Sequence, residues 1–201
     1  MSEQVVAVAI PEGYSEIPLT DVVTHAQHLF EFTGKQPPSD KPTILGAVTA
    51  LIGNLVDNGT RYIGIGSHQI PGGQPLHSCL TVSVVDAPGG PRSPRLALAA
   101  VVRSRSNDGT TGHSALIESE RHPILFTEKV GEVPTQLAGT DRAHSVYQLE
   151  AVVSSEDGTA LAAIQLASPD TERGALCRKM VADMASSVVF GAPATVTLDM
   201  S

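Results

Sequence analysis

The sequence predicts an α+β fold, with helices layered against a largely antiparallel sheet, and three features predict it. Helical stripes cluster early, in the middle and at the end of the chain, between runs of strands. Those strand runs are joined by turn-rich segments of the kind that connect antiparallel neighbours. No internal repeat or low-complexity block divides the 201 residues, so residues 1–201 read as one domain.

Val5 to Ile10 (VVAVAI) reads as a short strand that Pro11-Glu12-Gly13 ends with a turn, after which Tyr14, Ile17 and Leu19 resume an extended segment. An N-terminal hairpin or paired edge is expected there. Thr20 is placed to cap a helix whose Val22, Val23, Ala26, Leu29 and Phe30 share a face and which Gly34 closes. Lys35 to Lys41 is a polar connector. Beyond it, Pro42 opens a second helix with a stripe of Ile44, Leu45, Val48, Leu51, Ile52, Leu55 and Val56, stopped by Asn58-Gly59. Arg61 to Ile70 and Leu76 to Val85 then predict two antiparallel strands about a turn at Pro71-Gly72-Gly73.

Ser93-Pro94 predicts a shorter helix through Leu96, Leu98 and Val102, closed by Asn107-Asp108-Gly109. Strands follow over Ser114 to Glu120, Ile124 to Val130, Ser145 to Ser154 and Ala160 to Leu166, the last two joined at Glu156-Asp157-Gly158. Ser168-Pro169-Asp170 introduces the final helix, whose Leu176, Cys177, Met180, Val181 and Met184 share a face expected to pack on the sheet.

The composition bounds the function classes. A hydrophobic content of 41% suffices for a core, built from Val, Leu, Ile and Ala because aromatics make up only 3% and Trp is absent. A net charge of −8 disfavours a sequence-independent hold on nucleic acid, which needs clustered cations. Arg92, Arg95, Arg103 and Arg105 come nearest to a cluster and read as the basic face of a helix. No apolar run approaches the length of a membrane span, and no basic segment precedes an apolar one near the start, so a cytoplasmic location is expected. Cys79 and Cys177 lie in apolar stretches and read as reduced, buried thiols.

A strand, the Asp157-Gly158 turn, Leu161 to Leu166, Ser168-Pro169, a helix and then Ala185 to Phe190 together resemble the ending of the PsbP-like family. Pro11-Glu12-Gly13-Tyr14 resembles the Pro-x-Gly-aromatic phrase with which many of its members begin, and the ending is shared with the mycobacterial LpqN-type lipoproteins. The resemblance implies a curved antiparallel sheet in an α-β-α sandwich, within a superfamily of mostly non-enzymatic binding, assembly and chaperone-like proteins. The chain departs from the secreted branches in lacking a signal peptide and lipobox cysteine, which leans toward cytoplasmic members, some of which assist secretion machinery. No catalytic set comes with the family.

Several constellations compete with that reading. His25, His28 and Glu31 recur at a spacing that lets side chains meet, yet they fall on the polar side of the first helix and read as a solvated face. His68, His77 and Cys79 flank one turn and form the best metal candidate, though their spacing matches no established zinc pattern, and no metal or other cofactor is expected. Gly64-Ile65-Gly66-Ser67-His68 resembles half of a nucleotide loop or nucleophile elbow and fails where a further Gly is required, so close packing over a strand is expected instead. His113, Ser114, Glu118 and Glu120 suggest hydrolysis, but Ser114, Glu118 and Glu120 share strand parity and read as a solvent face. The expectation is therefore a protein that binds a protein partner or a second copy of itself, with a small Ser/His/acid hydrolase as the alternative and with no catalytic, cofactor-binding or metal residues assigned.

Overall fold

A computed structural model describes residues 5–19, 55, 57–70, 73–107, 112–133 and 144–191. Nine strands and two helices are defined among them: β1 (Val6–Ala7), β2 (Tyr14–Glu16), β3 (Thr60–His68), β4 (Leu76–Asp86), α1 (Pro94–Asn107), β5 (His113–Glu118), β6 (Pro123–Val133), β7 (His144–Ser154), β8 (Ala160–Ser168), α2 (Gly174–Ser186) and β9 (Val189–Phe190). The expected helix from Thr20 lies outside the described residues, as does all of the second but its end at Leu55 and Asp57.

Seven strands form one antiparallel sheet in the order β2-β3-β4-β8-β7-β6-β5. Two local units build it: β2 with the β3-β4 hairpin, and the β5-β6-β7-β8 meander, joined where β4 pairs with β8. This is an α+β chain with a largely antiparallel sheet. The N-terminal segment differs from the expected hairpin in one respect. β2 is a paired edge on β3, whereas β1 pairs with β9, held further by the Ala9 N–H donating to Ser187 Oγ at 2.9 Å.

Alternation along the strands decides what each sheet surface carries. On β4 the even positions Leu76, Leu80 and Val82 are buried, while His77 and Cys79 between them are exposed. Register aligns Leu80 and Val82 with Leu166 and Ile164 of β8, and these with Leu149 and Ala151 of β7, while Val153 lies one pair further along, opposite Ala162. Against this set pack Cys177, Val181, Met184 and Ala185, one stripe of α2. Each Leu, Ile or Val fully buried here stabilises the fold by about 1.5–3 kcal/mol. The helix starts later than Ser168-Pro169-Asp170 suggests: Arg173 precedes its first turn without a side-chain cap, and Asp170 is instead paired with Arg173 at 3.0 Å.

Residues of the opposite parity form a second apolar cluster with α1: Val152, Leu161 and Leu125 of the sheet meet Ala97 and Leu98. A third, smaller one groups Ile17 and Ile63 with Leu19, Leu55 and Ile65. Ile63 and Ile65 share the parity of Thr81 and Cys79, their register partners on β4.

Candidate functional site

Between the α1 cluster and the Leu55 cluster, the odd-numbered surface of β4 and its neighbours is polar. Register places Thr81, Gln165, Glu150, Thr127 and Ser114 side by side across β4, β8, β7, β6 and β5. Their side chains form a ladder. Thr81 Oγ1 donates to Gln165 Oε1 at 3.4 Å, Gln165 Nε2 donates to Glu150 Oε1 at 2.8 Å, and Thr127 Oγ1 lies 3.2 Å from Ser114 Oγ. Arg105 of α1 closes the gap, with an ion pair to Glu150 and a 3.0 Å bond from its guanidinium to Thr127 Oγ1. Glu150 and Arg105 are 14% and 27% exposed, so the pair is largely withdrawn from water and held in one geometry.

One row further along, Cys79, Ala167, Gln148 and Lys129 are aligned across β4, β8, β7 and β6. The two rows line a cleft of about 440 Å³. Ala167 leaves room at its floor. The Cys79 thiol is open to solvent, yet enough protein surrounds it that desolvation raises its pKa above the ordinary thiol value. The expectation that both thiols are buried is thus corrected for Cys79, which shares parity with exposed His77 rather than with Leu80. Cys177 is fully buried on the other surface of the sheet, where burial likewise pushes its thiol up. With the sheet between them, the two sulfurs do not pair.

Arg105 also corrects the basic-face reading. Arg95 pairs with exposed Glu118 at 3.0 Å, Arg105 turns into the cleft, and Arg92 precedes the helix with Nε and one terminal nitrogen buried. The signal was present in the sequence. Leu98, Val101 and Arg105 follow i, i+3, i+7 spacing, so the guanidinium occupies a position on the core-facing stripe.

The metal candidate is taken apart by the hairpin register. His68 lies opposite Leu76 and shares its surface, whereas His77 and Cys79 point to the other. Among the described residues no three His, Cys, Asp or Glu side chains converge on a metal position. His25, His28 and Glu31 lie outside the described residues. Gly64 and Gly66 sit beneath aromatic rings: a Cβ on Gly66 would fall 2.6 Å from His68 Nε2 and 2.7 Å from the Tyr14 ring. The glycines therefore serve close packing. Tyr14 contacts the His68 ring edge-on at 4.8 Å and bonds Ser78 Oγ at 2.8 Å, and burial pushes its phenol up to about 12. His68 Nε2 is buried without a hydrogen-bond partner among the described residues, and desolvation lowers the imidazole pKa.

A second hollow, of about 950 Å³, lies at the β7-β8 turn and gathers Arg121, His122, Ser154, Ser155 and Asp157. Its residue types are those a hydrolase would use, but their protons are committed elsewhere. Ser155 Oγ donates to Asp157 Oδ1 at 2.7 Å and accepts from the Ala160 N–H at 3.0 Å. Ser154 Oγ donates to the Ser155 carbonyl at 3.1 Å, and His122 Nε2 donates to the Ala185 carbonyl at 3.0 Å. Asp157 accepts from Thr159 as well, and these bonds, led by that from Ser155, lower its pKa. The group is a braced turn. At β5, Ser114 faces Thr127 and Glu118 faces Arg95, so the His113 to Glu120 stretch assembles no nucleophile with its base.

No helix among the described residues is long and apolar enough to cross a membrane. No protein-family model, curated protein or solved structure matches the chain.

Proposed function

We propose that the chain is a non-enzymatic binding or assembly protein, built as a layered α-β-α sandwich and engaging an extended segment of a partner protein along β5. The layered reading is supported by parity, since α2 packs with Ala151 and Val153 whereas α1 packs with Val152 between them. The PsbP-like resemblance supports the same architecture and a binding role from the sequence side.

The observation that carries the docking reading is the β5 edge. Among the described residues β5 pairs on one side only, and its Leu116 and Ile117, on opposite surfaces, are 48% and 50% exposed. An edge strand normally carries a Lys, a Pro or a bulge against unwanted pairing, and His113 to Glu118 (HSALIE) carries none of them. Strand addition would satisfy its free backbone groups and cover both side chains. Copies of a chain with net charge −8 repel one another, which favours a less acidic partner over self-pairing.

Ile117→Lys and Leu116→Pro test this, because the Leu116↔Leu125 pair is a non-hydrogen-bonded one and the Leu116 N–H faces away from β6. The unaltered chain is expected to retain a specific partner from its native extract, and both variants are expected to lose it while keeping their thermal midpoint. A monomer that retains nothing, or variants that retain the partner unchanged, would refute the docking reading. Turnover of a small ester, amide or phosphate, abolished by Ser155→Ala, would install the hydrolase alternative in its place.

A further inference from the structure

We infer that the cleft beside α1 binds a small polyhydroxylated organic anion, its carboxylate or phosphate held between Lys129 and Gln148. The volume of about 440 Å³ falls in the range of small-molecule sites. The lining divides into two kinds of group. Thr81, Gln165, Glu150, Arg105 and Thr127 are locked to one another and form a rigid wall. Lys129 and Gln148 have no hydrogen bond or ion pair among the described residues, although they are direct cross-strand partners in the same cleft.

Direct partners on neighbouring strands hold their Cβ atoms about 5 Å apart, so an ammonium and an amide NH₂ reach the two oxygens of one anionic group. Since Glu150 is neutralised by Arg105, the positive charge of Lys129 stands uncompensated among the described residues, on a chain whose overall charge is −8. That local reversal selects an anion. From Gln148 the row continues over Ala167 to Cys79, two strand spacings or about 10 Å away, and the bare floor at Ala167 admits a chain of roughly six atoms. Hydroxyls along such a chain meet the remaining lone pairs of Thr81, Gln165 and Thr127. A purely apolar ligand would take water from those remaining lone pairs and replace it with nothing.

Cys79 at the far end is a built-in reporter. Gluconate and glucose 6-phosphate serve as the carboxylate and phosphate probes, sorbitol as the neutral control and glucosamine as the cationic one. The measurements are calorimetric binding to the full chain and the rate at which N-ethylmaleimide modifies Cys79. At ten times its dissociation constant an anionic probe is expected to slow modification about tenfold, and which of the two does so identifies the preferred group. Lys129→Gln is expected to remove the preference for anion over sorbitol without altering the thermal midpoint. The inference is overturned if neither anion binds or protects at millimolar concentration, if sorbitol protects equally, or if Lys129→Gln leaves anion binding unchanged.

Discussion

Strands β4, β8 and β7 carry two surfaces of different character on the same backbone. Toward α2 they present Leu80, Val82, Ile164, Leu166, Leu149, Ala151 and Val153 without interruption, and the helix seals them. Toward α1 the apolar character stops after Val152, Leu161 and Ala163, and the next row is Thr81, Gln165 and Glu150. A sequence selected for burial alone would have continued the apolar row beneath the end of α1. Instead a charged pair is held there, although replacing such a pair by packed hydrophobes is often neutral or stabilising. The difference marks where the sheet serves something other than its own cohesion.

The sealed surface should be the more costly to damage. Leu166→Ala is expected to destabilise the chain by about 2–5 kcal/mol, read from denaturant midpoints at constant slope. A loss no larger than that of an exposed substitution would mean that α2 does not seal this surface. On the polar side, Glu150→Ala strands the Arg105 guanidinium and is expected to cost about 1–3 kcal/mol. Arg105→Met combined with Glu150→Leu should recover much of that, which would show the pair to be retained for something besides stability. If the double variant proves the worse of the two, the ion pair is structural after all.

Thiol chemistry separates the surfaces with a smaller signal. Cys79 should be modified in the native chain and Cys177 only on unfolding. Because desolvation raises the Cys79 pKa, its rate should keep climbing with pH beyond the range of an unperturbed thiol. The smallest effect belongs to His68, whose pKa is lowered by burial beside Tyr14. The unfolded chain then binds the proton more readily than the folded one, so this contribution is complete above the unfolded pKa of about 6.5 and is lost as pH falls through the lower folded value. His68→Gln should flatten that acid limb, and an unchanged slope would assign it to other groups.

Most of the strands and both helices of the described region were legible because apolar residues recur in them at strand or helix spacing, as over Leu76 to Val82 of β4 and along α2. β1 and β9 were not recognisable as partners: two-residue ladders at opposite ends of the chain leave no local pattern. The cleft was half visible. Cys79 was read from the apolar run around it, whereas parity alone groups it with His77 and Thr81 and would have placed it outward. Arg105 likewise stood on a core-facing stripe. What local spacing could not supply is the register that aligns Thr81 with Gln165 and Lys129 with Gln148, since that is set by pairing between strands distant in sequence.

The β4-β8 pairing has a kinetic corollary. It matches Cys79 with Ala167 and Asp86 with Ala160, joining segments roughly 80 positions apart, whereas the β3-β4, β5-β6 and β7-β8 pairings close across short turns. Closing that longer loop costs about 2–3 kcal/mol more chain entropy than a short turn. Hairpin and meander are therefore expected to form first and to zip together last, with this seam the first line along which they part. The Thr81–Gln165 bond spans the seam, so the cleft exists only once the two units have met. Amide exchange along β4 and β8 would accordingly slow when the cleft is filled, making occupancy a latch on the final step of assembly.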